Sequence, residues 1–356
     1  MQDKRLERLR LQLTKQGIPA VLVTNAINRR YLTGFTGSAG IVLVTGGRAV
    51  LITDFRYMEQ APKEAAGYEV IDHKGKIGRT ILDILGKESI KQLGFEENDL
   101  TYSAYSGYTG DLQGVELIPT GGIVEKLRIV KDESELQIMQ EAADLADRTF
   151  SYILTRLRTG VTEKQIALEM EIFIRENGGT SSSFDTIVAS GERSALPHGV
   201  ASDRVLQPNE FVKLDFGALY KGYCSDITRT VVLGQPSDRH KEIYGIVLEA
   251  QLNCVGSLKP GMTGSDGDAL CRDIIARYGY GDNFGHSTGH GLGMEVHEQP
   301  RLAKGFAGVL EPGMVVTVEP GIYIPGFGGV RIEDDVVIEQ SGIRLLTHST
   351  KELITI

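Results

Sequence analysis

No apolar run in this 356-residue chain approaches the length of a membrane span. The opening stretch, MQDKRLERLRLQLTKQG, is charged and amphipathic and lacks the apolar centre of a secretory signal. Cysteine is scarce. Cys224, Cys254 and Cys271 are odd in number, and no two are closely spaced. That argues against a disulfide framework and a thiolate metal site, and for reduced thiols in the cytoplasm. Positive charge is outnumbered: 38 Lys and Arg against 47 Asp and Glu leave a formal net charge of -9. Nucleic acid and anionic membrane surfaces are therefore poor partners. A phosphate-binding loop is missing too. GFTGSAG (34–40) is glycine-rich, but it has neither the lysine of a P-loop nor the spacing of a dinucleotide turn. What remains, 41% hydrophobic and 24% charged, is the composition of a soluble globular protein long enough for two domains.

Residues 1 to about 120 alternate between short apolar runs and helical patterns. AVLVT (20–24), GIVLVT (40–45), AVLIT (49–53) and VELIP (115–119) predict strands; helices are predicted near 3–16, 56–66, 77–87 and 101–113. PTGGIVEKLR (119–128) reads as a linker or first crossover, followed by a long amphipathic helix opened by a capping signal. The second part repeats itself. LRTGVTEKQIALEMEIFIRENG (157–178) matches LKPGMTGSDGDALCRDIIARYG (258–279), PNEFVKLDFG (208–217) matches PGMVVTVEPG (312–321), and TRTVVL (228–233) matches EDDVVI (333–338). Two such halves, each of helices followed by a hairpin, would pack about a pseudo-two-fold axis with Asp215 and Glu319 at equivalent places.

In FVKLDFGALYKGYCSDITRTVVL, Asp215 and Asp226 are eleven apart. A hairpin turning at YK or LYKG has an even loop, and an odd separation then puts both side chains on one face. Glu319 and Glu333 are fourteen apart around the odd turn PGFGG, with the same result. Any one of these acids alone would read as an exposed strand residue. Four of them, beside Leu214, Phe216, Val318 and Ile332, would repel one another unless counterions or metal were present. Oxygen-rich donors favour harder ions, manganese first and cobalt second.

FGHSTGHGLGMEVHE (284–298) gathers His286, His290 and His297, three of the seven histidines. Four interleaved glycines make a helical metal motif a poor fit, so partners for these histidines must come from elsewhere in the chain. His73, His240 and His348 read as structural or solvated.

Together these residues resemble the dinuclear site of the pita-bread metallopeptidases, which include methionine aminopeptidases, aminopeptidase P and prolidase. LDFGALYKGYCSDITRT, GHSTGHGLGMEVHE, VEPGIY and GVRIEDDVVI look like the proline-specific branch. The resemblance implies an α+β fold. A C-terminal pita-bread catalytic domain with a pseudo-two-fold repeat (123–356) would follow an α/β creatinase/prolidase-like N-terminal domain (1–122). It implies Asp215, Asp226, His290, Glu319 and Glu333 as ligands of two divalent ions, with Asp226 and Glu333 bridging. His198, in ALPHGV, and His297 match histidines that bind substrate and stabilise the tetrahedral intermediate, and Glu319 would shuttle the proton. Arg301 matches the arginine that holds a dipeptide's carboxylate. His286 would orient the site, and Arg331 would anchor the acidic cluster.

The resulting expectation is an exopeptidase that cleaves Xaa-Pro bonds in small peptides by way of a hydroxide bridging the ions. An Xaa-Pro dipeptidase comes first and an aminopeptidase P acting on longer peptides second, in a cytoplasmic homodimer that engages neither nucleic acid nor membrane. A creatinase-like amidinohydrolase or a metal-free binding module of this fold would have lost ligands, and all five positions are present.

Overall fold

A computed structural model describes residues 2–356, with side chains from Lys4 onward. The chain forms two compact units that divide between Arg128 and Ile129. The first runs α1 (Gln2–Gln16), β1 (Ala20–Val23), α2 (Ala26–Thr33), β2 (Ile41–Thr45), β3 (Ala49–Thr53), α3 (Ala61–Glu64), β4 (Glu69–Asp72), α4 (Ile77–Lys87), β5 (Gln92–Phe95), α5 (Tyr102–Asp111), β6 (Glu116–Pro119) and α6 (Ile123–Arg128). Its six strands form one mixed sheet in the order β4-β3-β2-β1-β5-β6. The apolar runs read as strands are β1, β2, β3 and β6. β4 and β5 were missed, because EVID and QLGF are four residues long and interrupted by charge or glycine.

Two expectations need correction. Residues 56–66 do not form one helix: a single 3-10 turn at Phe55–Tyr57, capped by Asp54, is followed by the four-residue α3, whose first turn holds Pro62. Proline lacks the N–H a helix interior needs, so the chain restarts there. Of the two readings of 119–128, linker or first crossover, the linker does not hold. The stretch contains α6, which buries Ile123, Val124 and Leu127 while Arg128 Nη1 donates to Asn28 Oδ1 at 2.7 Å, and so packs with the first unit.

The second unit runs α7 (Glu133–Leu154), α8 (Glu163–Glu176), β7 (Ser181–Ser182), β8 (Ile187–Ser190), β9 (Glu210–Phe216), β10 (Ala218–Tyr220), β11 (Tyr223–Cys224) and β12 (Ile227–Leu233). The repeat begins with α9 (Asp238–Ser257) and α10 (Gly264–Arg277). It continues through β13 (Gly289–Gly291), β14 (Glu298–Leu302), β15 (Val315–Val318), β16 (Gly321–Ile324), β17 (Gly328–Arg331), β18 (Asp334–Glu339) and β19 (Gly342–Leu345).

The internal match is visible in local geometry. Thr162 caps α8 and Thr263 caps α10, each in a capping box with the residue three further on, Gln165 or Asp266. Gly160 and Gly261 precede those caps at φ of 94° and 87°, a left-handed conformation glycine adopts without strain. Each half also closes its own core. Phe150, Ile166, Met170, Leu214 and Phe216 cluster in the first, Ile243, Val247, Ile275, Val318 and Ile332 in the second.

Both predicted hairpins form, each interrupted where an acid sits. β9 pairs with β12, and the same register continues into β10 and β11 around a turn at Lys221 and Gly222. The break falls at Gly217, where a Cβ would strike the carbonyl of Ser225. β15 pairs with β18 and β16 with β17, again in one continuous register. The tip is a three-residue loop of Pro325, Gly326 and Phe327 rather than the expected five. Three is also odd, so the facing of Glu319 and Glu333 is unaffected. None of the described helices is long and apolar enough to cross a membrane.

Candidate active site

The first hairpin aims two carboxylates the same way. Asp215 lies opposite Thr228 in the β9–β12 ladder. Asp226, two residues before Thr228, shares its face by the two-residue period of a strand. In the second hairpin Val318 faces Asp334 and Gly321 faces Arg331, so Glu319 and Glu333 stand across from each other in the gap between the two ladders. His290 arrives on β13, which is sandwiched between β14 and β15. Its glycine neighbours are there for room: a Cβ on Gly289 would strike the carbonyl of Thr317, and one on Gly291 that of Gln299. Glycine spacing excluded the helical motif, and close strand packing is what requires the glycine.

All five expected ligands line one cavity of about 560 Å³. Asp226, His290 and Glu333 come closest, each offering a ligand atom within 4.8 Å of the others. His290 Nε2 lies 3.4 Å from Glu319 Oε1 and 3.7 Å from Asp226 Oδ2. The other ring nitrogen, Nδ1, sits 3.1 Å from the carbonyl of Gly291, which places the proton there and leaves Nε2 with a lone pair facing the acids. Asp215 is instead paired with Arg331, whose Nε is also 3.9 Å from Glu319 Oε2.

The electrostatics are those of a cluster short of positive charge. Asp226 and Glu333 are pushed well above the usual carboxylate range, by burial first and then by each other's neighbours: Glu333 and Asp215 act on Asp226, Glu319 and Asp215 on Glu333. Burial pushes Glu319 up to about 7 and His290 down to about 4. Arg331 remains a cation. Burial works against its guanidinium, but Tyr323, Asp215 and Glu319 hold its pKa well above the ordinary value. Asp226 Oδ1 is buried with no hydrogen-bond partner. A buried carboxylate oxygen left bare is costly, and a divalent cation satisfies it. The donor set of carboxylate oxygens and one imidazole fits such an ion.

The other expected residues are distributed around this centre. His198, His297 and Arg301 line the same cavity with exposed side chains. Arg301 faces His290 across the β13–β14 ladder, and the rings of His290 and His297 meet edge to face at 4.4 Å. His286 touches no expected ligand; its Nε2 lies 2.8 Å from the Tyr323 hydroxyl. Burial and the nearby Arg331 hold it down to about 3, so it is neutral. Cys224 packs as a buried residue with its thiol against the carbonyl of Met294 at 3.8 Å.

Several contributors escaped the sequence reading. Thr228 donates to Glu333 Oε2 at 2.6 Å, and the Asp226 amide donates to Asp335 Oδ2 at 2.9 Å. Arg331 Nη1 donates to the Tyr323 hydroxyl at 2.8 Å. Arg229 is buried and spends its guanidinium on the carbonyls of Thr228, Glu333, Ser349 and Thr350 and on Asp334. A signal existed for two of these. Thr228 shares the face of Asp226, and Arg229 is a cation inside an apolar strand.

A duplicated helix-and-hairpin unit that converges buried acids and one histidine on a cavity defines a pita-bread metallohydrolase. The chain belongs to metallopeptidase family M24, whose model matches residues 137–340, and residues 5–130 match the creatinase/prolidase N-terminal domain. It is similar to a solved structure described as an Xaa-Pro dipeptidase from Bacillus anthracis, at 55% identity and a TM-score of 0.98 over 100% of both chains. A curated Xaa-Pro dipeptidase from Pyrococcus furiosus is 41% identical over 99% of each chain. The structure of an X-Pro aminopeptidase from Thermotoga maritima is 40% identical, with a TM-score of 0.91 over 96% of this chain and 98% of that one.

Proposed function

We propose that this metallopeptidase is an Xaa-Pro dipeptidase that uses two divalent cations, manganese first and cobalt second. The observation that carries the reading is the buried triad Asp226, His290 and Glu333 with its bare carboxylate oxygen, set in a cavity that also holds Asp215 and Glu319. Asp215 and Asp226 would hold one ion. His290, Glu319 and Glu333 would hold the other, with Asp226 and Glu333 shared. Two divalent cations held by these residues would supply Lewis-acid chemistry, lowering the pKa of a water and polarising the scissile carbonyl.

The chain's own groups do the rest. Glu319 takes the proton of the attacking water and hands it to the proline nitrogen as the bond breaks. His198 and His297 donate to the oxygen on which negative charge develops. Arg301 pairs with the free carboxylate that a dipeptide presents one residue beyond the cleaved bond. His286 and Arg331 orient the acids through Tyr323 and Asp215. A proline nitrogen carries no N–H, so a site that relies on shape and charge rather than on that donor can cleave a bond other peptidases cannot grip.

The similarity to an X-Pro aminopeptidase supports a second reading, in which longer Xaa-Pro peptides are the substrates. The test is hydrolysis of Ala-Pro against Ala-Pro-Ala with added manganese or cobalt. Preferential cleavage of Ala-Pro supports the dipeptidase, and preferential cleavage of the tripeptide supports the aminopeptidase. The same reading includes a homodimer in the cytoplasm with no membrane or nucleic-acid partner, which the odd number of cysteines and the net charge of -9 support.

A further inference from the structure

The segment carrying His198 has little to bury. Leu196 and Val200 are 49% and 50% exposed, and His198 is exposed as well, so side-chain packing does not fix its path. Lysine and arginine N–H groups hold its backbone carbonyls instead. Lys213 Nζ donates to the carbonyl of Leu196 at 2.6 Å and is 3.3 Å from that of Pro197. Arg331 Nη1 donates to the same Pro197 carbonyl at 3.1 Å, and Arg193 Nη2 to that of Val200 at 2.9 Å. Glu163, itself fully buried, ties the two ends of the segment by accepting from the amides of Ser190 and Ser202 and pairing with Arg193.

Lys213 is the unusual member of this set. It has no exposure, and its contacts are two carbonyls and the face of Tyr323, 5.1 Å from the ring centroid, rather than a carboxylate. An apolar residue would serve β9 equally well at this inward position. A buried amine whose N–H groups lack acceptors is costly, and here its hydrogen bonds go to the backbone immediately before His198. Lys213 also lies two residues before Asp215 in β9, on the same face, so the strand that carries an acid of the site also anchors the histidine's segment.

We propose that Lys213 is a positioning residue that aims the His198 imidazole at the scissile carbonyl by fixing the carbonyls of Leu196 and Pro197. The claim rests on the role given to His198 above. It is tested with Lys213→Met and Lys213→Gln, each made in the native chain and in His198→Ala. Four quantities are read: kcat and KM on Ala-Pro, manganese content, and hydrogen exchange at the Gly199 and Val200 amides.

Lys213→Met should lower kcat by about tenfold or more, the scale of a small misplacement, with manganese content near that of the native protein. Lys213→Gln keeps an N–H donor and should recover part of the loss. On the His198→Ala background the same substitution should change kcat by less than about twofold, because both act through one group. The Gly199 and Val200 amides should exchange faster. An equal loss on both backgrounds, or unchanged exchange, overturns the proposal. If Lys213→Met does not fold, Lys213→Gln carries the comparison. If the native chain fails to cleave Ala-Pro, the dipeptidase reading falls separately and exchange at Gly199 and Val200 decides the anchoring.

Discussion

Thr228 and Glu333 occupy equivalent places in the two repeats and hold each other twice. The Thr228 hydroxyl donates to Glu333 Oε2 at 2.6 Å, and the Glu333 amide donates to the Thr228 carbonyl at 3.1 Å. The next equivalent pair, Arg229 and Asp334, forms an ion pair at 2.7 Å with both side chains buried. The duplication therefore does more than supply matching acids. Its corresponding residues grip one another where the halves meet, and one partner in that grip is an expected metal ligand.

Removing the hydroxyl tests this support. Thr228→Val keeps the shape of the side chain and leaves Glu333 Oε2 without its donor. Partners of this kind typically contribute about 10–100-fold in metal affinity. The variant should fold and bind manganese that much more weakly in a calorimetric titration. An unchanged affinity would mean that the contact is incidental to the ion.

His286 gives a pH prediction whose sign follows from its contacts. Arg331 Nη1 donates to the Tyr323 hydroxyl, so that hydroxyl's own proton points to His286 Nε2, while Nδ1 lies 2.8 Å from the Ser287 carbonyl. The ring is satisfied only when neutral with its proton on Nδ1. Its pKa is held down to about 3, chiefly by burial, whereas the unfolded chain takes up that proton near 6.5. The unfolded state binds more protons throughout that window, so this group's effect is absent above pH 6.5 and erodes stability as pH falls toward 3. His286→Gln should carry a constant offset but lose about 2 kcal/mol less than the native protein between pH 7 and pH 5 in urea melts. Identical pH slopes would contradict the assignment.

The legible parts of this molecule are those set by period and parity. A two-residue alternation and an odd or even turn were enough to put Asp215 with Asp226 and Glu319 with Glu333, even though the second turn is three residues rather than five. A capping signal marks α7, and the internal repeat marks α8 and α10. The illegible parts depend on contacts between segments distant in sequence. Strand period was enough to put Arg331 beside the acidic cluster, but no local pattern announces that its partner is Asp215, 116 residues away, or that Lys213 meets the segment before His198 across a loop. The stretch holding α6 reads as a linker or first crossover, with a proline and two glycines ahead of the helix, and only its burial reveals a packed helix.

Arg301 bears on substrate length. A dipeptide's carboxylate beside the site needs a cationic partner, whereas a longer peptide carries an amide there. Arg301→Ala should therefore cut kcat/KM for Xaa-Pro dipeptides by about 1.5–3 kcal/mol of transition-state binding, the range for a charged hydrogen bond. Tripeptide cleavage should fall far less. Equal losses on both substrates would make Arg301 structural and favour the aminopeptidase reading.

His297 separates substrate from ion. It lines the cavity with an exposed ring packed against His290 rather than within the buried triad. His297→Ala should lower kcat while metal content after dialysis stays near native. Loss of an ion in that variant would reverse the roles given to the two histidines.

The central claim is that buried acids from both repeats hold two cations. Its most direct test is metal content by mass spectrometry on the dialysed, manganese-loaded protein, side by side with Glu333→Ala and Asp226→Ala and their activity on Ala-Pro. The account predicts two ions per chain in the native protein. In both variants it predicts a reduced content and no measurable hydrolysis, since each lacks a shared ligand. Full activity in either variant, or a native protein that cleaves Ala-Pro with no metal bound, would contradict it.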